Sequence, residues 1–198
     1  MILLLRHGQT EWNRDRRLQG QADSPLTSLG KAQARAMGQA ARAALGVDIR
    51  PRLMASPLGR TLATAELVAF ELGISDTPLI DPRLMELGFG SWEGLTGADT
   101  IDTLTHLAPH WRFFGAPDGE QYVQIVERAR GWLADHADGP EPLVVVSHGL
   151  TGQIIRGLYG KLDDEATLQL DRPQDAIFKL AGGTVERLAC PPVMMDVA

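Results

Sequence analysis

The chain has 198 residues, with 19 Lys and Arg against 25 Asp and Glu, a formal net charge of −6. Apolar residues make up 44% and charged residues 22%, which supports a real core, excludes wholesale disorder and fits one domain over residues 1–198. The acidic balance argues against a general nucleic-acid binder, and no apolar run approaches the ~18–20 residues of a membrane span.

From the start of the chain, Ile2 to Leu5 is a continuous apolar run, the signature of a strand buried on both faces of a parallel sheet. It is too short for a signal-peptide core and no basic stretch precedes it, so no leader is expected. Thr27 is placed to cap an Ala-rich helix that runs to Leu45 and ends at Gly46. A short strand is expected over Leu53–Ala55, a helix over Leu58–Leu72 stopped by Gly73, and a further short strand over Thr77–Ile80. Gly88 to Gly97 carries four glycines and reads as a loop. Helical periodicity covers Gly119 to His136. Leu143 to Val146 is a second buried-strand run, followed by a helix over Thr151–Tyr159. Ala176–Leu180 and Thr184–Ala189 flank Gly182-Gly183 as a hairpin. Alternating strands and helices predict an α/β layered fold, mostly parallel, with an antiparallel addition at the end.

Ligands of such sheets bind beyond the carboxyl ends of the strands. Two strands end there in a histidine followed by glycine. Ile2–Leu5 runs into Arg6-His7-Gly8, and Leu143–Val146 runs into Ser147-His148-Gly149. Neutral imidazole is a competent nucleophile toward a phosphoryl group, and neighbouring cations keep it neutral. Sixteen of the 19 basic residues are arginine, an excess that fits a genomic composition bias because alanine is also abundant, although arginine is the side chain that grips phosphate bidentately. Ser56-Pro57-Leu58-Gly59-Arg60 adds an arginine at a helix start, where free N–H groups and the dipole also favour an anion. Glu86, with apolar neighbours before the glycine-rich loop, is the candidate acid; partial burial and a bound phosphate dianion both favour its protonated form.

Four segments carry a resemblance that spans nearly the whole chain. Leu5-Arg6-His7-Gly8-Gln9-Thr10-Glu11-Trp12-Asn13, Ser56 to Ala65, Glu86 to Gly94, and Val146-Ser147-His148-Gly149 occur in the order of the motifs of the histidine phosphatase superfamily, phosphoglycerate-mutase-like branch, and resemble them closely. The resemblance implies a three-layer sandwich, a mostly parallel mixed central sheet flanked by helices, with residues 88–120 forming a loop over the site. It also implies His7 as a transiently phosphorylated nucleophile. Arg6, Arg60 and His148 would complete the phosphate pocket, with Asn13 and the Gly149 backbone binding the phosphate. Glu86 would protonate the leaving alcohol and then activate water. No metal and no organic cofactor are implied. Two positions depart from the pattern: Leu150 stands where many relatives carry a small or polar residue, and Gln121 replaces the serine of a Gly-Glu-Ser element, leaving Glu120 as a further site candidate.

Other side chains have two readings. His106 and His110 have the i,i+4 spacing of metal ligands, but Pro109 interrupts the turn and no third ligand is evident. Trp111, Phe113 and Phe114 either cap the pocket or pack as core, and Arg14, Arg16 and Arg17 either line its mouth or are solvated. Glu93 competes with Glu86 as the functional carboxylate. Mutases of the family carry, after the acid motif, an insertion with a lysine and paired arginines. Between Gly94 and Tyr122 this chain has Arg112 alone, which favours a phosphatase acting on a small phosphorylated metabolite over a phosphoglycerate mutase or a phosphate-sensing module. A single cysteine, Cys190, fits a cytoplasmic location, and the apolar Val193-Met194-Met195 tail is a candidate contact for a homodimer.

Overall fold

A computed structural model of the protein describes residues 1–46 and 48–193. Its elements are β1 (Ile2–Arg6), α1 (Glu11–Arg14), α2 (Ser28–Leu45), β2 (Arg52–Ala55), α3 (Gly59–Leu72), β3 (Leu79–Ile80), α4 (Tyr122–His136), β4 (Leu143–Ser147), α5 (Gly149–Tyr159), α6 (Asp164–Gln169), β5 (Ala176–Ala181) and β6 (Thr184–Ala189). The six strands form one sheet in the order β3-β2-β4-β1-β5-β6. The first four strands are parallel, and the β5–β6 hairpin joins β1 antiparallel. The expected three layers are therefore present.

The continuous apolar runs explain the layering. Side chains alternate across a strand, so Ile2 and Leu4 face one side with Leu143 and Val145, while Leu3 and Leu5 face the other with Val144 and Val146. The first face packs on Ile125, Ala129 and Trp132 of α4 and on Ile154 and Ile155 of α5. The second packs on Met37 and Ala41 of α2 and on Ala65, Val68 and Leu72 of α3. A polar residue within either strand run would meet a helix on one side or the other, which is why neither run alternates.

Thr27 caps α2 as expected, its hydroxyl accepting from Gly30 N at 3.0 Å. Helix α4 begins at Tyr122, not at Gly119, because the Gln124 side chain turns back to accept the Gln121 N–H at 2.7 Å. Helix α5 begins at Gly149, two residues earlier than the periodicity suggests, because His148 is its cap. The glycine-rich stretch contains a 3-10 turn over Gly90–Trp92, and further turns of this kind lie at Ile101–Thr103 and Trp111–Phe114. The short helices α1 and α6 have no long periodic pattern and were not expected. Met194 and Met195 of the apolar tail lie outside the described residues.

Gly8 and Gly30 let the exit of β1 press against the start of α2. A Cβ on Gly8 would fall 2.1 Å from the Gly30 carbonyl oxygen, and one on Gly30 would fall 1.9 Å from that of Gln9. Both obstacles are backbone. Gly131, by contrast, lies exposed in α4, with nothing nearer to such a Cβ than an Arg83 guanidinium nitrogen at 3.9 Å. We therefore expect Gly8→Ala to lower unfolding free energy by about 1–3 kcal/mol through overpacking, and Gly131→Ala to raise it by about 0.5–1 kcal/mol through helix propensity. Urea titration of the two variants checks the opposite signs.

Candidate active site

The site begins with strand register. Arg6 lies opposite Ser147 where β1 and β4 run parallel, and His7 N donates to Ser147 O at 3.0 Å. His7 and His148 therefore leave the sheet side by side, with ring centroids 5.2 Å apart and planes 62° apart. On the other side of β4, Ser56 follows β2 and its N–H donates to Val146 O at 3.1 Å. Three adjacent strands thus deliver Ser56, His148 and His7 to one edge. The helices that follow β1 and β4 depart to opposite faces, leaving a crevice between them.

His7 is 3% exposed. Its Nδ1 lies 2.8 Å from the Gly8 carbonyl, which can only accept, so Nδ1 carries the proton and Nε2 keeps its lone pair. Burial, and next the charges of Arg60 and Arg6, hold its pKa well below the usual histidine value. Arg60 Nε–H points at His7 Nε2 from 3.3 Å. His148 is likewise neutral, through burial first and then the charge of Arg60. Its Nε2 lies 2.8 Å from Ser56 Oγ. With that hydroxyl donating to Nε2, the ring proton sits on Nδ1, a buried atom with no protein partner. Arg6 Nε is in the same condition. Two buried donors without a protein acceptor, beside a neutral imidazole, suit an anion.

Arg60 is 1% exposed and spends much of its guanidinium on the scaffold, donating to Gly20 O at 2.6 Å, Ala22 O at 2.7 Å and Asp23 Oδ1 at 3.3 Å. Burial is the main reason that its pKa falls. The pKa of Arg6 is lowered to about 10, mostly by burial, which leaves it charged at neutral pH. Asn13 lines the same pocket. Its Oδ1 accepts from Thr10 N and Gln174 Nε2, both at 3.3 Å, so the amide nitrogen is the group left to donate. Arg6, Arg60 and Asn13 border a pocket of about 340 Å³ with His7, Glu86, Gly149 and Leu150, and His148 borders the small adjoining cavity that Arg6 and Gly149 share.

Glu86 rather than Glu93 reaches this pocket. Its two carboxylate oxygens accept from Leu150 N and Thr151 N, each at 3.1 Å, at the first turn of α5. Glu93 instead accepts from Gln21 N at 2.8 Å and Ala22 N at 2.9 Å, fastening the loop that carries Gly20. The start of α3 is not the anion site that its sequence suggests. Asp23 occupies it, accepting from Arg60 N at 3.2 Å.

The chain matches the model of the histidine phosphatase superfamily (branch 1) over residues 2–181. It belongs to that family. It is 41% identical over 171 residues to a probable phosphoglycerate mutase GpmB of Cronobacter sakazakii, covering 80% of this chain and 74% of that protein. The Klebsiella pneumoniae protein of the same name is 40% identical over the same span and coverage. Among solved structures, the product of the Mycobacterium tuberculosis open reading frame Rv3214 superposes with a TM-score of 0.78 at 27% identity, over 96% of this chain and 95% of that one. The mycobacterial glucosyl-3-phosphoglycerate phosphatase Rv2419c gives 0.74 at 28% identity, over 96% of each chain.

Several histidine-phosphatase positions prove to act around the site rather than in it. Glu120 pairs with Arg128 through contacts of 2.6 and 2.9 Å and accepts Gly88 N at 3.2 Å. Arg128 donates in turn to the Arg83 and Met85 carbonyls, each at 2.7 Å, so the pair clamps both flanks of Glu86. Arg14 bonds Asp15, and Arg17 bonds the Gly94 carbonyl, outside the pocket. Of the three aromatics, Phe113 lines the pocket, whereas Trp111 and Phe114 pack on Tyr122. His110 Nε2 lies 2.9 Å from Glu165. Among the described residues no three His, Cys, Asp or Glu side chains stand close enough to hold a metal ion. Two contributors carried no signal in the sequence motifs: Arg172, which lines the pocket, and Gln174, whose Nε2 donates to His7 O at 3.0 Å.

Burial of His7 and His148 as neutral rings has a thermodynamic consequence. Their folded pKa lies below the unfolded value of 6.5, so below that pH the unfolded chain binds protons that the folded chain refuses, and stability falls as pH falls. Between pH 7.5 and 5.5 each ring is expected to remove about 1.4 kcal/mol. Urea midpoints at the two pH values check this, with His7→Gln and His148→Gln each removing about half of the loss. Arg128→Met is expected to cost about 3 kcal/mol by stranding the largely buried Glu120 carboxylate, read from the same titrations at pH 7.5.

Proposed function

We propose that the protein is a metal-independent phosphomonoesterase that works through a phosphohistidine on His7, with a small phosphorylated metabolite as substrate. The observation that carries this reading is the state of His7. Its proton is tied to the Gly8 carbonyl, its Nε2 keeps a lone pair that Arg60 Nε–H meets at 3.3 Å, and the residue lines a pocket edged by three arginines.

In the first step Nε2 attacks phosphorus and the bond to the leaving oxygen breaks. Arg6, Arg60, His148 Nδ1 and the Asn13 amide carry the charge of the three equatorial oxygens. Glu86 gives its proton to the departing alkoxide, so a neutral alcohol leaves. Water then enters where the alcohol left, and Glu86 takes one of its protons as oxygen attacks the phosphoryl group. Breaking the N–P bond returns neutral His7 and releases inorganic phosphate. For this cycle the thirty-odd residues from 88 to 120, which bring Phe89 and Phe113 to the pocket, cover the site.

Phosphoglycerate mutation is the second reading, favoured by the name of the relatives that are about 40% identical. The basic content of the chain weighs against it. Arg112, the one Lys or Arg between Gly94 and Tyr122, donates to the Leu107 carbonyl at 3.0 Å and does not line the pocket. Nothing from that segment therefore supplies the cations that would retain a released phosphoglycerate for rephosphorylation.

Radiolabelled phosphomonoester, quenched during turnover, is expected to leave acid-labile label on His7, with chelator-resistant release of phosphate. His7→Ala should lose at least about 10³-fold in kcat/KM, and Glu86→Gln about 10²–10⁴-fold. Interconversion of 2- and 3-phosphoglycerate without net phosphate release would establish the mutase instead. Absence of any phosphohistidine would leave a binding module.

A further inference from the structure

Arg172 differs from every other arginine at the site in having nothing to hold. It lies in the irregular segment between α6 and β5 and lines the pocket together with His7, Arg60 and Glu86. Arg60 donates to Gly20, Ala22 and Asp23, Arg128 to Glu120, and Arg156 to Asp171. Among the described residues no carboxylate or carbonyl receives a bond from the Arg172 guanidinium. The guanidinium stacks on the face of Phe113, with Cζ 4.5 Å from the ring centroid. Phe113 is itself backed by the buried Phe89 at a centroid distance of 6.4 Å. The backbone is not free to drift, because an Arg6 Nη1–H donates to the Arg172 carbonyl. An arginine fixed at its main chain, stacked on an aromatic platform and left with uncommitted donors is a preorganised anion fork.

Its position along the pocket says which part of a substrate it meets. Its Cδ lies beside Gly149 together with Arg6 Nε, each 3.4 Å from where a Cβ on that glycine would sit, while its guanidinium turns to the face of Phe113. The transferred phosphoryl group has Arg6, Arg60, His148 and Asn13 for partners, so the Arg172 fork is left for the leaving group on the Phe113 side. A single guanidinium fork matches the two oxygens of one carboxylate. We propose that Arg172 on its Phe113 platform is a carboxylate subsite, selecting phosphomonoesters whose leaving alcohol carries a carboxylate. This rests on the phosphomonoesterase reading above and adds the class of leaving group.

A matched pair of substrates tests it. 3-Phosphoglycerate and glycerol 3-phosphate share a carbon skeleton and differ in carboxylate against hydroxymethyl. The wild-type protein is expected to prefer the first by about 10–100-fold in kcat/KM, the range of one charged bidentate contact. Arg172→Gln should bring that ratio to within about threefold of unity, mainly through KM, and Arg172→Lys should keep part of it. An equal loss on both substrates would place Arg172 on the transferred phosphoryl group and overturn the proposal, as would a wild-type ratio near one. Calorimetric binding of both ligands to His7→Ala and to His7→Ala/Arg172→Gln separates the two claims. An Arg172-dependent binding preference without turnover by the wild-type protein would sink the phosphomonoesterase reading alone. Turnover with no binding preference would sink the subsite alone.

Discussion

The pairing of β1 with β4 is the constraint on which the site depends. Parallel strands in register from Ile2–Leu143 to Arg6–Ser147 must end at the same height, so the residues that follow, His7 and His148, emerge as neighbours without any long loop to aim them. Both strands are buried on both faces, and a slip of one residue would turn Leu3, Leu5, Val144 and Val146 away from the helices they pack on. The core therefore specifies the spacing of the imidazoles. The Ser147 carbonyl extends the ladder by one bond to His7 N, and Gln174 holds the His7 carbonyl. A rigid support of this kind suits the nucleophilic role proposed for His7, because attack on phosphorus needs alignment more than motion.

Two electrostatic scales coexist. Over the whole chain acidic residues exceed basic ones, whereas the pocket gathers Arg6, Arg60 and Arg172 around the neutral ring of His7. Global charge governs solubility and nonspecific adhesion, and the focused local field governs capture of a small anion. The cost falls on the histidines, which are held neutral chiefly because they are buried and only secondarily because of the arginines. That order matters. Even an anion that offsets the arginine charges leaves the desolvation in place, so the rings have a reason to stay neutral with the pocket filled.

Much of this arrangement could be read in advance, and its limits have physical causes. The apolar runs of β1 and β4 admit one reading because both faces must be covered, and the residues at their ends follow from the pleat. The starts of α4 and α5 were missed by a few residues, since the Gln124 side chain and the His148 cap decide them and periodicity does not register either. Glu120 was read as a site residue. Its partner Arg128 sits eight positions away and turns it into a clamp. Arg172 gave no signal at all, because its meaning comes from Phe113, far away in the chain, and from the lack of a partner. Pairing, and its absence, are tertiary facts.

The helix N-termini show how one physical rule can point to the wrong element. A free helix start attracts an anion, and α3, opening at Gly59-Arg60, was the start that its sequence recommended. Asp23 fills that position, and a Cβ on Gly59 would already fall 2.1 Å from its Oδ2. The same carboxylate also accepts from the Arg60 guanidinium, so capping α3 and orienting Arg60 toward His7 are one act. At α5 the rule is obeyed by Glu86, whose two oxygens receive the Leu150 and Thr151 N–H groups. Leu150, the departure from the family pattern, gives its N–H to Glu86 and also borders the pocket. Both helix starts thus hold an internal carboxylate, and the positive groups left for a ligand are side chains: Arg6 Nε, His148 Nδ1 and the fork of Arg172. A site that spends its helix dipoles on positioning leaves the binding of an anion to arginine and histidine side chains.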